Sequence, residues 1–149
     1  AVMELALGKA RACHAKEGLV SRADTIVVLG EKILGKPGSD KEAKSMLAAL
    51  SGGEHKVITG VAVTNPETGE SLVEAEETAV WFHSLSMAEI EAYVRSGEPM
   101  DKAGAYGIQG KGALLVKGIE GCYYNVVGLP LARLAKMLQS AGFKDAYRF

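Results

Sequence analysis

The chain has little cysteine: Cys13 and Cys122 are the only two in 149 residues. They could pair if the fold brings them together, but nothing local argues for it, and neither thiol has the paired spacing of a structural zinc site. They read as reduced thiols of a cytosolic protein. An excess of positive charge is also missing. A net charge of −1 offers no general attraction for phosphate polymers or anionic lipid. A nucleic-acid polymer is therefore disfavoured as a partner, and any phosphate site has to be built from a few converging lysines. No apolar run reaches membrane-spanning length, and no cationic start precedes an apolar stretch. The expectation is a cytoplasmic protein without a membrane partner.

What is present suits a globular domain. Apolar residues make up 48% and charged residues 23%, and the length allows one domain over residues 1–149 with a core of its own. No linker, repeat or low-complexity segment divides it.

Residues 1–16 read as a helix, with Val2, Leu5, Ala6 and Cys13 on one side. No strand precedes it, so an α/β domain opening in mid-helix predicts further residues upstream. Ile26-Val27-Val28-Leu29 is a short apolar, β-branched run expected to be a strand. Gly30-Glu31 turns it back through Ile33-Leu34. Ser39 and Glu42 have capping-box spacing, as do Ser86 and Glu89, and each opens an amphipathic helix. The first carries Ala43, Met46, Leu47 and Leu50 and stops at Gly52-Gly53. Between the helices lie two longer strands, near residues 56–64 and 71–83, joined by a turn at 65–69. A glycine-dense stretch spans 101–112, a strand is expected near 113–119 and a loop at 121–125, and Pro130 opens the last helix. The order αββαββαβα with hairpins predicts an α/β fold with a mixed, twisted sheet and flanking helices.

The glycine-dense stretch carries the most information. Four glycines between 104 and 112, with Tyr106, Ile108 and Gln109 among them, are costly in chain entropy and unlike a Ser/Gly linker. They predict a structured loop that lets backbone approach a ligand. Gln109 can present a carbonyl and an amide side by side, matching the N3–H and O4 edge of uracil or thymine. Gly35-Lys36-Pro37 supplies a point charge at a turn, though such tripeptides also occur in ordinary turns. Asp24, at a strand entrance, most often caps a turn but can hold a metal or orient a water; Thr25 beside it is a good strand residue. His14, His55 and His83 lack metal-ligand spacing and read as packed or exposed. Glu74, Glu76 and Glu77 read as a solvated face, and Trp81 and Phe82 as core. Tyr123-Tyr124-Asn125 is read equally well as a site wall or as a polar turn.

Read together, the segments resemble the Maf family of nucleotide pyrophosphatases. The stretches that carry the resemblance are Ala23-Asp24-Thr25-Ile26-Val27-Val28, Leu34-Gly35-Lys36-Pro37, Leu50-Ser51-Gly52 with His55, and Thr59-Gly60. Further on come Glu77-Thr78, the run from Glu98 to Gly110, and Asn125-Val126-Val127-Gly128-Leu129-Pro130. They cover essentially the whole chain, and Asp101-Lys102-Ala103-Gly104-Ala105-Tyr106-Gly107-Ile108-Gln109-Gly110 is the most specific of them.

The resemblance implies hydrolysis of a nucleoside triphosphate at its α-phosphate, releasing pyrophosphate, with a divalent metal, Mg²⁺ or Mn²⁺. Asp24 would accept the proton of the attacking water or position the metal; both roles stay open. Lys9, Lys36 and Lys102 would neutralise the phosphates, with Asp101 beside them, while Thr25 and Gln109 would choose the base. Ala-Asp-Thr with Ile-Gln-Gly resembles the branch acting on dTTP and UTP. Arg22 and Tyr124 depart from the family pattern, where a glycine and a small residue are usual. Nothing before Lys9 matches the family's opening strand and Ser-x-Ser-Pro-Arg-Arg phosphate loop, so the chain as given is expected to be a weak or inactive hydrolase. The exposed strand edge this leaves makes a homodimer an expected partner state. The competing readings are a catalytically impaired nucleotide-binding or septum-related regulatory module and, less favoured for want of an acceptor motif, a nucleotidyltransferase.

Overall fold

The structure, a computed structural model, describes residues 20–143. The expected first helix, with Lys9, Cys13 and His14, lies outside them. Five strands form one sheet: β1 (Val20–Leu29), β2 (Lys32–Leu34), β3 (Glu54–Thr64), β4 (Ser71–Phe82) and β5 (Val116–Glu120), in the order β2-β1-β3-β4-β5. Every pairing among the described strands is antiparallel: the expected hairpins are there, and the described sheet contains no parallel pair.

The helices start where side chains satisfy their free backbone N–H groups. Ser39 caps α1 (Asp40–Leu50) by accepting from the Glu42 amide, and a full capping box of Ser86 and Glu89 opens α2 (Met87–Arg95). Two further helices follow, α3 (Tyr123–Val127) and α4 (Leu131–Ser140). None of the described helices is long and apolar enough to cross a membrane.

Two boundaries differ from the sequence reading. The strand expected near 113–119 begins only at Val116, because residues 110–114 form a 3₁₀ turn that tucks Gly112 against the Gly107 carbonyl. The loop expected at 121–125 is largely helical, because Asn125 makes buried bonds that hold one short turn of α3 against the sheet. The acidic cluster is also not simply solvated: Arg133 of α4 donates from Nε to Glu76 at 2.9 Å and pairs with Glu74.

Val57, Val61 and Val63 share one face of β3 by the two-residue repeat of a strand. They divide between two apolar clusters. Val57 joins Val27, Leu47, Leu50, Val80, Phe82, Ile90 and Val94 beneath α1 and α2. Val61 and Val63 pack with Met137 and, less completely, Leu134 and Leu138 of α4. Thr59 stands between the two clusters on the same face and is fully buried. That polar break in an apolar row locates the site.

Candidate active site

A cleft of about 270 Å³ opens where β1, the turn after β2, the glycine-rich segment and α3 meet. Its wall includes Asp24, Thr25, Lys36, Asp101, Lys102 and Gln109. The six described residues singled out from sequence are thus brought to one hollow, from positions up to 85 apart in the chain (109 − 24). Lys9, the seventh, lies outside the described residues.

Each arrives for a local reason. β2 pairs only with Val27, Val28 and Leu29, so Asp24 and Thr25 lie on the part of β1 that β3 alone flanks among the described residues. Lys36 follows β2 in an extended turn, exposed at the rim. Asp101 and Lys102 leave a 3₁₀ turn begun at Glu98, whose Pro99 supplies the fixed φ such a turn needs. The Lys102 ammonium donates to Asp101 Oδ1 at 2.9 Å and to the Glu98 carbonyl at 3.2 Å. That hydrogen bond and the lysine's charge hold the Asp101 carboxyl below its usual range. Gly104 then turns at φ 74° with Val27 directly behind it; a Cβ there would sit 2.8 Å from a Val27 methyl. Only glycine permits that approach.

The floor is a polar seam. The Thr25 and Thr59 hydroxyls are 2.8 Å apart, and Thr59 donates to the Asn125 carbonyl at 3.4 Å. Asn125, wholly buried, donates from Nδ2 to the Val57 carbonyl and to Thr78 Oγ1, each at 3.0 Å. Thr78 in turn donates to the Cys122 carbonyl at 2.9 Å. These bonds fasten α3, and with it Val126, Val127 and Gly128 of the cleft wall, across β3 and β4. From the sequence Asn125 suits a site wall and a turn equally; its partners are backbone and hydroxyl groups that no local pattern reveals.

At the other end Tyr106 lines the cleft and bonds through its hydroxyl to His55 Nε2 at 2.6 Å. His55, Phe82 and Tyr106 pack edge to face, with ring centroids 4.7–5.3 Å apart. Burial lowers the His55 pKa to about 4 and pushes the Tyr106 phenol up. Both are neutral at pH 7 and serve as a rigid wall.

The profile of a family described as Maf-like protein matches residues 1–141. The chain belongs to the Maf family. A dTTP/UTP pyrophosphatase of Carboxydothermus hydrogenoformans is 51% identical over 147 residues, 95% of this chain and 79% of that one. The protein of the same name from Moorella thermoacetica is 55% identical over 143 residues, 95% and 74% of the two chains. That of Pelotomaculum thermopropionicum is 53% identical over 128 residues, 86% and 67%.

In this Maf chain the described residues include no group of three or more His, Cys, Asp or Glu side chains able to hold a metal alone. The carboxylates bordering the cleft are Asp24 and Asp101, and Asp101 is engaged by Lys102. Such a sparse set of hard oxygen donors fits a cation that keeps most of its ligands from water and substrate.

Proposed function

We propose that the chain hydrolyses dTTP- and UTP-type nucleoside triphosphates to the monophosphate and pyrophosphate, assisted by Mg²⁺ or Mn²⁺ in the cytoplasm. The observation that carries the reading is the convergence of Asp24, Lys36, Lys102, Thr25 and Gln109 on one cleft. Support also comes from relatives about half identical that bear the name dTTP/UTP pyrophosphatase, which favours hydrolysis over binding alone.

The roles follow from the chemistry of each group. Lys36 and Lys102 bring two ammonium charges to a triphosphate and stabilise the charge that gathers on departing pyrophosphate. Asp24 accepts a proton from the water that attacks the α-phosphorus. The new P–O bond forms as the bond to the bridging oxygen breaks, so one water is consumed and pyrophosphate leaves. Asp24, with the phosphates of the substrate, would also hold the metal, which when bound neutralises phosphate charge. Val27, Val57 and Ile108 offer an apolar wall to the base. Gln109 and Thr25 meet its polar edge. Lys9 would add a third charge to the phosphates.

Pyrophosphate release by the full-length protein, measured with Mg²⁺ or Mn²⁺ over a panel of triphosphates, tests the reading. Faster turnover of dTTP and UTP than of dCTP, dATP or dGTP is expected. Asp24→Asn should lower kcat by about 10²–10⁴-fold, and recovery at high Mn²⁺ would shift its role from base to metal holder. Inertness toward every triphosphate would end the proposal.

A further inference from the structure

Glu98 reaches no part of the cleft wall, yet it ties down the segment that forms it. Its Oε1 accepts from the Tyr93 hydroxyl at 2.8 Å and from the Gly112 amide at 2.9 Å; its Oε2 accepts from the Lys111 amide at 3.1 Å. Tyr93, its hydroxyl proton given to Glu98, accepts from the Gly107 amide at 3.1 Å. The stretch 107–112 is therefore held at both ends, by Tyr93 at Gly107 and by Glu98 at Lys111 and Gly112. Gln109 lies between the two anchors. Lys102, through its bond to the Glu98 carbonyl, is attached to the same residue.

We propose that Glu98 is the positioning residue of the nucleotide cleft, setting through Tyr93 and three backbone amides where Gln109 meets the base. The inference rests on the nucleotide reading above but assigns the geometry to a side chain that touches no substrate.

The carboxylate form suits this duty. It offers acceptors only, so three donors can converge without conflict. Burial by itself would raise the Glu98 pKa, but the bonds from Tyr93, Gly112 and Lys111 and the Lys102 charge outweigh it and hold the carboxyl below the usual range. An amide in its place turns one acceptor into a donor facing another N–H, which breaks one anchor while preserving volume. Gly110 adds a steric reason for the fit: a Cβ there would lie 2.9 Å from Glu98 Oε2. The loop passes this close to the carboxylate because it carries no side chain at that point.

The experiment compares Glu98→Gln and Tyr93→Phe with wild type in three readouts: kcat/KM for dTTP and for dCTP, thermal midpoint, and backbone amide exchange at 107–112. The expected result is a fall in the dTTP-over-dCTP ratio of about ten- to a hundredfold, faster exchange at whichever of Lys111 and Gly112 faces the new amide nitrogen in Glu98→Gln, and faster exchange at Gly107 in Tyr93→Phe. Saturation with α,β-imido-dTTP should restore part of the protection. Equal losses on both nucleotides that track a lowered thermal midpoint would overturn the proposal, as would unchanged exchange. If Glu98→Gln does not fold, the ratio and exchange in Tyr93→Phe decide alone. A wild-type protein inert toward all nucleotides sinks the functional reading; an active one whose variants keep the wild-type ratio sinks only the role of Glu98.

Discussion

The hydroxyls of Thr25 and Thr59 meet at 2.8 Å across neighbouring strands where the two residues are register partners. A hydroxyl has one proton to give. Thr59 can give its own to the Asn125 carbonyl at 3.4 Å or to Thr25 at 2.8 Å; where it goes to Asn125, the proton shared by the pair comes from Thr25. In that arrangement Thr25, which borders the cleft, is left with lone pairs only. In the nucleotide reading proposed above, such an oxygen would accept a proton from the polar edge of the base but have none to give to it.

Thr59→Val tests that polarity. Valine matches threonine in shape, removes the acceptor and frees the Thr25 proton to turn toward the cleft. The dTTP-over-dCTP ratio of kcat/KM should fall about tenfold, the worth of one hydrogen bond in a dry site. Urea unfolding should show a loss of about 1 kcal/mol. A ratio that stays fixed would mean the Thr25 proton is directed by something else.

Asn125 is the keystone of the floor, with zero exposure and two donated bonds at 3.0 Å. Asn125→Leu leaves the Val57 carbonyl and the Thr78 hydroxyl buried without that donor and removes the tie between α3 and the sheet. A loss of about 2–4 kcal/mol in urea unfolding is expected. Asn125→Ser, which can reach at most one partner, should fall between. A near-neutral Asn125→Leu would show that α3 is held by its apolar contacts instead.

How far the residues announced all this differs from part to part. Ser39 and Ser86 marked their helices because a cap is a local device, complete within four residues. The hairpins were legible for the same reason: Gly30-Glu31 and the turn at 65–69 lie between runs of strand formers. Gln109 was legible from its glycine-dense setting, and Asp24 and Lys36 weakly from their chemistry, but their convergence with Lys102 was legible only as a family pattern, since alternation and periodicity say nothing of a cleft. Asn125 and Glu98 were not legible at all as structural hubs. Beside the Tyr93 and Thr78 hydroxyls, their partners are backbone N–H and C=O groups 13 to 68 residues away, and a backbone group has no letter in the sequence. The short helix α3 is not legible, since Tyr-Tyr-Asn-Val-Val has weak intrinsic helix preference and it is the tertiary bonds through Asn125 that hold it.

His55 makes stability depend on pH. Its folded-state pKa, lowered to about 4 by burial, lies below the value of about 6.5 in an unfolded chain. Between those values the unfolded state binds a proton that the folded state does not, so stability falls as pH falls through that window and is constant above it. The difference amounts to roughly 3 kcal/mol at its fullest. Unfolding free energies of wild type and His55→Gln, measured from pH 7.5 to 4, should converge at low pH as the wild type loses this increment. Parallel curves would show that other groups set the acid limit.

Gly112 offers the sharpest steric test of the loop. A Cβ built on it would lie 1.7 Å from the Gly107 carbonyl oxygen and 2.8 Å from the Tyr93 hydroxyl. Both neighbours are held in place, one by backbone and the other by Glu98, so neither can yield cheaply. Gly112→Ala must push residues 107 and 112 apart by more than 1 Å to reach ordinary contact near 3.4 Å. That displacement passes directly to Gln109. A fall in kcat/KM for dTTP of about a hundredfold is expected. Gly118→Ala, on β5 with no atom within 4 Å of the added carbon, should keep wild-type activity. If Gly112→Ala is equally active, the loop is not built to the tolerance that the base-selecting role proposed for Gln109 would require.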